Sequence, residues 1–569
     1  MRAYIPVLLV ALAALAPPAA AQPLVTVTEE ALLFTDLSGD RSSASFGAEA
    51  AAVDLPDGSA LAAVGAPGAP DPAGQGTGAV AVYRRGPADD WAPEAVLRPG
   101  TGEPQERDFA RAVDAVVLPG GDAVLVAGFE EHSVVFGARD ANGAVVVYRR
   151  DGATGTWGPG QLVSPARLAE ADRFGSAVAA ETLPDGRVRL VVGAPQRRHG
   201  GVASGTALVL EGTPGGDWDV VAELAPTGAT GRELAGRHVA LAGDVAVVSA
   251  EDAPAGGVAL AGAAYVFVRD PATGAWAAEA RLVSAEPRER ALFGRDVAAV
   301  ETGAGTVVVV GEPSTETGGG AATFVRRRDG PAGPWAWDRG PVLAPYLGAH
   351  RGGAGWVVAA APLARGRAVV LVTARSARLD GEIATGSATA FTLGPERVVE
   401  GGGQGPAVAG LVVEETAHVR PATVQQVQYF GGGSGDEADV TPSGLAVVGS
   451  FAYRHPGGAE GAAYAFRLGP ALAVSSAGTP AGRPAGVSVS VGPNPSRARA
   501  RVALAGASAS AEPVRVVVLD VRGREVAVVH AGPAVGGASW ALPALAPGAY
   551  AVRAETAAGA ATAWITVVR

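Results

Sequence analysis

The sequence predicts an all-β protein, in which a seven-bladed β-propeller is followed by a small C-terminal β-sandwich domain. Three observations lead to this prediction. A unit of roughly 60 residues recurs along most of the chain, as in repeat folds. Each copy holds three or four short apolar β-runs separated by turns rich in Gly, Pro or Asp. After residue 486 the repeat is absent, while short strand patterns continue to the end.

The repeated unit begins with a Phe-Gly pair and continues through a Val-rich run that ends in Gly-Ala-Pro. The best copy runs from Phe46 through Pro67 to Trp91. The seven copies begin at positions 46, 109, 174, 235, 293, 354 and 430. A sheet of three or four strands cannot bury both of its faces alone, and radial stacking of such sheets does bury them. Seven copies therefore predict seven blades.

These motifs resemble the FG-GAP repeats of integrin α-subunits and of many bacterial exported proteins. The resemblance covers roughly residues 25–468. It is strongest in the first, third and fifth copies and thin in the fourth and sixth. We place the propeller at residues 22–469 and a linker at 470–486. The last copy lacks an outer strand, so we expect an N-terminal strand within residues 24–34 to close the seventh blade.

The N-terminus has the pattern of a secretory signal peptide over residues 1–21. Arg2 supplies a positive charge, an apolar run follows, and Ala19 to Ala21 form an A-x-A cleavage site. Cleavage is expected between Ala21 and Gln22, with export through the inner membrane. The apolar run is shorter than the roughly 20 residues of a spanning helix, and no later segment has a transmembrane pattern.

Residues 487–569 predict seven short strands, which suits a small β-sandwich. The tail resembles the C-terminal sorting domain of the type IX secretion system, with a fibronectin-like module as the alternative. The matching motif residues are Pro493, Asn494, Pro495, Asp520, Gly523, Gly548, Tyr550 and Arg569. The resemblance implies the type IX secretion machinery as a partner. It also implies delivery to the outer-membrane surface or release as a secreted protein.

Composition excludes several classes of chemistry. The formal net charge is −11, whereas a protein that tracks nucleic-acid phosphates needs a basic surface stripe. No nucleic-acid partner is therefore expected. The chain has no cysteine, which rules out disulfides, thiolate nucleophiles and thiolate metal sites.

No cofactor is expected, although calcium remains an open alternative. Integrin-type blades often carry a D-x-D-x-D-G calcium loop, whose closely spaced oxygens suit the ion. Here Asp54 and Asp57 form a reduced version, the turn at Asp185-Gly186 has the wrong spacing, and the acidic run 436–439 lies beside a Phe-Gly pair. The histidines show no zinc spacing, but His199 and His455 fall in corresponding loops that could contribute to binding.

No nucleophile elbow, phosphate loop or dinucleotide motif occurs. We therefore predict a non-catalytic protein, not an enzyme: an adhesion, binding or structural propeller with an unknown extracellular protein or glycan as its ligand. The alternative is an extracellular hydrolase or lyase acting on a polysaccharide or protein. The sequence leaves this alternative open, because the carboxylates of such an active site converge only in space and form no local motif. Recurring tryptophans could stack on sugars, but their repeat phase favours packing between blades. They are Trp91, Trp157, Trp218, Trp276 and Trp335.

Overall fold

The computed structural model divides into two compact units, one spanning Leu24–Ser476 and the other combining Met1–Pro23 with Ala477–Arg569. The residues that the structure describes are 25–28, 31–33, 45–70, 76–86, 90–100, 108–131, 142–169, 171–229, 231–303, 305–313, 320–328, 335–343, 353–375, 386–395, 407–408, 411–420, 438–454, 460–468, 488–492, 501–505, 512–519, 525–534, 538–543, 545, 548–556 and 559–567.

The larger unit is an all-β propeller of seven sheets, as predicted, and the strands of its first five blades are antiparallel. Blade 1 consists of β3 (Glu49–Asp54), β4 (Ala60–Ala66), β5 (Ala79–Arg85) and β6 (Trp91–Leu97). Blade 2 consists of β7 (Val113–Val117), β8 (Ala123–Phe129), β9 (Ala144–Arg150) and β10 (Gln161–Val163). Blade 3 consists of β11 (Val178–Thr182), β12 (Val188–Ala194), β13 (Thr206–Gly212) and β14 (Trp218–Leu224). Each sheet orders its strands as they occur in the chain.

The next two blades repeat this order. Blade 4 consists of β15 (Val239–Ala242), β16 (Val245–Ala250), β17 (Ala263–Arg269) and β18 (Trp276–Leu282). Blade 5 consists of β19 (Val297–Thr302), β20 (Gly305–Glu312), β21 (Gly320–Arg328) and β22 (Trp335–Leu343).

The last two blades include the N-terminal strands. Blade 6 consists of β23 (Ala354–Leu363), β24 (Arg367–Ala374), β25 (Ser387–Pro395), β26 (Ala407–Val408) and β27 (Leu411–Arg420), and β1 (Val25–Thr28) pairs parallel to β27. Blade 7 consists of β28 (Ala438–Val440), β29 (Leu445–Arg454) and β30 (Glu460–Arg467), with β2 (Ala31–Leu33) antiparallel to β30 as its outer strand. The only helix in the described part of the chain is the 3-10 turn Ala364–Gly366.

The core of the propeller lies between the sheets. In blades 1 and 3 the second strand is buried along its whole length, because both of its faces meet a neighbouring blade. Within the described residues, one cluster of buried apolar side chains fills each gap between neighbouring blades. The gap between blades 7 and 1 holds Leu33 of β2, Val447 and Ala62. The ring is therefore closed by the same packing that joins its other blades.

The second unit contains two sheets. β31 (Ser488–Gly492), β32 (Arg501–Ala505) and β35 (Ser539–Ala541) form one of them. β33 (Glu512–Leu519), β34 (Glu525–Ala534), β36 (Gly548–Thr556) and β37 (Gly559–Val567) form the other, in the order β34-β33-β36-β37. No helix among the described residues is both long and apolar enough to span a membrane.

Candidate active site

The backbone just before each inner strand repeats an unusual conformation. In five blades the residue before the Phe, or before Ala235 in blade 4, has a positive φ although it is not glycine. These residues are Ser45 (48°), Asp108 (62°), Arg173 (55°), Leu234 (55°) and Leu292 (57°). A left-handed conformation costs a non-glycine residue about 1–3 kcal/mol and is concentrated at functional sites. The repeat therefore builds the same strained corner in each of these blades, with Ser, Asp, Arg or Leu at the position.

Three of these corner residues, Asp108, Arg173 and Leu234, line one cavity of about 210 Å³. The cavity is built where the inner strands of blades 1 to 4 begin. Its charged lining combines carboxyl groups with guanidinium groups: Glu49, Asp108, Glu130 and Glu131 with Arg111, Arg173, Arg232 and Arg237. Such a mixture can recognise a polar ligand and can also transfer protons.

Arg111 holds two of the carboxyl groups beside each other. Its Nη2 atom donates a hydrogen bond of 3.2 Å to Asp108 Oδ1, and its Nε atom lies 3.8 Å from Glu130 Oε1. The Glu130 side chain is only 14% exposed. Burial raises the pKa of Glu130 above its ordinary value, because the attraction of Arg173 and Arg111 does not offset the lost hydration. Glu130 is therefore the carboxyl group that keeps its proton to higher pH than an ordinary glutamate.

The other guanidinium groups are held less tightly. Arg173 Nη1 lies 4.0 Å from Glu130 Oε1, at the limit of an ion pair. Arg237 Nε lies 3.1 Å from Glu251 Oε1. Arg232 is exposed and makes no hydrogen bond or ion pair within 4 Å to any residue in the described part of the chain. Arg173 is thus attracted to Glu130 at the limit of an ion pair, and Arg232 is attracted to the Asp252 carboxylate at longer range.

His238 forms the wall of the cavity toward blade 5. It is buried, its Nδ1 atom lies 3.4 Å from Asp296 Oδ1, and its Nε2 atom lies 2.6 Å from Arg295 Nη1. Because arginine can only donate, Nε2 accepts and the ring proton lies on Nδ1, facing Asp296. Asp296 Oδ2 also accepts a hydrogen bond of 2.8 Å from the Val358 N–H of blade 6. This network fixes the wall across three blades.

The recurring tryptophans serve packing between blades. Trp157 Nε1 donates a hydrogen bond of 2.8 Å to Glu94 Oε1, on the outer strand of blade 1. Trp218 Nε1 donates to Gln161 of blade 2 at 3.3 Å. In blade 5 the equivalent bond, 2.9 Å to Glu279, comes from Trp337. Trp91 and Trp276 are half-buried against clusters that join neighbouring blades. The packing interpretation fits these contacts.

The acidic turns and His199 lie apart from the cavity. Asp57 accepts hydrogen bonds from Ser59 within its own turn and pairs with Arg84, and Asp185 accepts from Arg187. His199 is exposed, with Nδ1 3.5 Å from Glu223 Oε1. Within the described ranges, no three His, Asp or Glu side chains lie where they could hold a metal ion together.

Several residues singled out in the sequence lie outside the described residues. They are Ala21, Gln22, His455, Asp436, Glu437, Pro493, Asn494, Pro495, Asp520, Gly523 and Arg569. Asp439, the last acid of the run 436–439, lies in β28, and its Oδ2 atom accepts a hydrogen bond of 2.8 Å from the Ala52 N–H of blade 1. Gly548 and Tyr550 lie in β36, and Tyr550 is paired in register with Ile565 of β37.

Sequence reasoning singled out none of the charged residues that line the cavity. A usable signal was present, because Asp108 and Arg173 directly precede a Phe and Arg111 and Arg237 occupy the second position after the equivalent residue. Aligning the copies on this residue would have shown charged side chains at positions facing the ring interior.

Comparison with solved structures places glycoside hydrolases among the propellers that the chain is similar to. The NanB sialidase from Streptococcus pneumoniae is 10% identical, with a TM-score of 0.38 over 63% of this chain and 68% of that one. A thermostable family-43 glycoside hydrolase is 11% identical, with a TM-score of 0.31 over 54% of this chain and 98% of that one. A Hadza microbial sialidase is 14% identical, with a TM-score of 0.34 over 57% and 62%. No protein-family model and no curated protein matches the chain.

The prediction that the chain is not an enzyme is withdrawn: the propellers that the chain is similar to include sialidases and a family-43 glycoside hydrolase, a likeness that shows the fold alone. The physical reason for the error lies in the fold. A propeller assembles its cavity from loops of separate blades, so the absence of a local motif along the chain does not exclude catalysis. The carboxyl and guanidinium groups of this cavity come from four blades.

Proposed function

We propose that the propeller is a hydrolase that cleaves a glycosidic bond at the cavity of blades 1 to 4. One observation carries the proposal: Arg111 holds Asp108 and Glu130 side by side in a cavity, and burial favours the protonated form of Glu130. Two carboxyl groups with different environments are what glycoside hydrolysis requires, one as an acid and the other as a base or nucleophile.

Glu130 is the general acid in this proposal. It donates its proton to the oxygen of the leaving sugar as the bond between that oxygen and the anomeric carbon breaks. Asp108 acts on the anomeric carbon, either directly or by taking a proton from a water molecule that attacks it. The water supplies the new hydroxyl group, so the products are two free sugars. Arg111 keeps both carboxyl groups in place.

A panel of oligosaccharides and chromogenic glycosides tests the proposal on the full chain and on two variants. Glu130→Gln and Asp108→Asn keep the size of each side chain and remove its acid chemistry. We expect turnover by the native chain and a loss of about 10²–10⁴-fold in each variant. Asp185→Asn, an exposed turn carboxylate, is the matched control and should keep full activity. Turnover that survives both cavity substitutions would overturn the proposal.

We also propose that the propeller is of the FG-GAP type. We propose further that an N-terminal signal peptide and a C-terminal sorting domain direct export of the chain. The Phe-Gly pairs and the seven-fold repeat support the first point, and the signal-like N-terminus supports the second. The two sheets of the C-terminal unit support a β-sandwich that serves as a type IX sorting domain. A reporter fused to residues 487–569 should reach the cell surface only when the type IX machinery is intact. Surface delivery without that machinery would contradict this route.

A further inference from the structure

The first strands of blade 1 that face blade 7 carry two buried hydrogen-bond donors without an acceptor. Arg85, the last residue of β5, is 8% exposed. Its Nε atom has no hydrogen-bond partner, and its side chain forms no ion pair within 4 Å, among the residues that the structure describes. Trp91, the first residue of β6, is its cross-strand partner, and the buried Nε1 atom of Trp91 also lacks an acceptor within the described ranges. Because burying an unpaired guanidinium group is strongly unfavourable, we expect an acceptor at this position.

The equivalent pair of donors in blade 2 holds a carboxylate. Arg150 and Trp157 are bridged across the strands as Arg85 and Trp91 are. Arg150 donates through Nε and Nη2 to the two carboxylate oxygens of Glu94, at 2.8 and 2.9 Å, and Trp157 Nε1 donates to Glu94 Oε1 at 2.8 Å. Glu94 lies on the outer strand of the preceding blade, so its carboxylate joins blades 1 and 2.

Blade 5 repeats this arrangement with a third pair. Arg326 and Trp337 are cross-strand partners. Arg326 donates to the carboxylate of Glu279 at 2.8 and 2.7 Å, and Trp337 Nε1 donates to it at 2.9 Å. Glu279 again lies on the outer strand of the preceding blade. In this propeller, an arginine paired with a tryptophan across these strands thus binds a carboxylate in two separate places.

The length of β2 explains why the acceptor is missing in blade 7. Leu33 ends β2 as Leu97 ends β6, because each pairs with the second residue after the glycine that bridges to the next blade. β6 extends back from Leu97 past Glu94, whereas β2 begins at Ala31, one residue short of the position equivalent to Glu94. The described part of blade 7 therefore places no carboxylate beside Arg85.

We propose that Arg85 and Trp91 form a carboxylate-binding site where blade 1 meets blade 7. The ligand is a single carboxylate group. The guanidinium fork binds its two oxygens with parallel N–H···O bonds, and the indole N–H donates to one of them. A carboxylate bound here joins blades 7 and 1 as Glu94 joins blades 1 and 2. Neither Arg85 nor Trp91 lines the cavity, and the inference does not depend on the proposed hydrolysis.

The carboxylate can come from a small ion in solution or from a glutamate of this chain. The equivalent position in the next junction is reached by solvent, because the Glu94 side chain there is 15% exposed. In the sequence, Glu30 stands three residues before Leu33, as Glu94 stands three residues before Leu97. Glu30 itself lies outside the described residues. The chemistry of the site is the same for both sources, and the experiment separates them.

Formate, the smallest carboxylate, tests the site on the full-length chain. It replaces chloride at constant ionic strength, while NMR spectroscopy follows the indole N–H signal of Trp91, which is assigned by its absence from Trp91→Phe. If the site is open to solution, we expect this signal to move as formate binds. The folded-to-unfolded ratio in denaturant should then rise about tenfold when formate reaches roughly ten times its dissociation constant. Arg85→Met should abolish both effects. Arg84→Met, the neighbouring arginine with a 38% exposed side chain, is the matched control and should keep them.

Glu30→Gln distinguishes the two sources, with Glu29→Gln as its control. A response to formate in both the native chain and Glu30→Gln would support the site and assign its ligand to solution. If Glu30 supplies the carboxylate, the native chain should ignore formate, whereas Glu30→Gln should shift the Trp91 signal and then respond to formate through Arg85. That result would also support the site. The inference is overturned if neither the native chain nor Glu30→Gln responds to formate, or if the response survives Arg85→Met.

Discussion

At the scale of the residue, the Phe-Gly pair is explained by a contact between blades. The Gly of the pair has a φ of +82° to +96° in blades 1, 3, 4, 5 and 6, and a Cβ atom there would meet a backbone oxygen of the preceding blade. For Gly175 that oxygen belongs to Ala144, at 2.1 Å from the added Cβ. The Phe makes a backbone bridge to the preceding blade, as in Phe174 with Gly143. The pair is thus a joint that only a small residue permits.

Substituting this joint should destabilise the propeller strongly. Gly175→Ala combines a left-handed backbone with a collision against Ala144 O, so we expect a loss of more than about 3 kcal/mol in the free energy of unfolding. Gly186→Ala is the matched control, because its φ of +84° is similar and nothing lies within 4 Å. Its loss should stay near 1 kcal/mol. Urea unfolding measures both, and equal losses would show that the contact is not the cause.

Blade 2 already carries the strained version of this joint. Ala110, with a φ of 70°, occupies the position that is Gly in most other copies. The repeat was recognisable without this residue, because Phe109 and the following strands keep their spacing. The side chains that line the cavity could not be identified as a site from the sequence, because they come together only when blades 1 to 4 lie next to one another.

At the scale of the element, the outer strand of a blade is held by a polar contact as well as by apolar packing. Glu94 of β6 accepts two hydrogen bonds from Arg150, at 2.8 and 2.9 Å, together with the bond from Trp157. Blades 4 and 5 repeat the arrangement, where Glu279 accepts from Arg326 and Trp337. The packing role of Trp157 was predictable from the sequence, whereas the pairing of Glu94 with Arg150 was not, because it depends on how neighbouring blades are aligned.

Removing one of these glutamates should weaken the junction between two blades. Glu94→Ala leaves Arg150, whose side chain is only 3% exposed, without its carboxylate partner. Breaking a buried pair from one side costs about 3–5 kcal/mol. Asp57→Ala breaks the exposed pair with Arg84 and should cost about 1 kcal/mol or less. Denaturant unfolding distinguishes the two, and similar small losses in both variants would contradict a structural role for Glu94.

At the scale of the whole molecule, closure of the ring depends on residues from both ends of the propeller. β2 completes blade 7, and the bridge between Phe46 and Gly461 repeats across the closure the contact that joins the other blades. The seven-fold count was predictable from the sequence, because each copy carries the same buried pattern. The parallel pairing of β1 with blade 6 was not, since four residues carry too little pattern to choose a partner.

The proposed catalysis also belongs to this scale, because Asp108, Arg111 and Glu130 of blade 2 face a cavity that is complete only when blades 1 to 4 are assembled. The general acid must be protonated, so the rate should fall as pH rises through the pKa of Glu130. Burial has raised that pKa above the ordinary glutamate value of 4.5, so the fall should come at a higher pH than for an exposed glutamate. We assign this alkaline fall in rate to Glu130. It should therefore be absent from the Glu130→Gln variant, whose side chain does not titrate.

The rate of glycoside hydrolysis as a function of pH, measured for the native chain and for Glu130→Gln, tests the central claim most directly. The account predicts that the native rate declines on the alkaline side through the raised pKa of Glu130. It predicts that the variant has a rate about 10²–10⁴-fold lower, without that decline. A variant that retains the native rate and the native alkaline limb would contradict the assignment of this cavity as the active site.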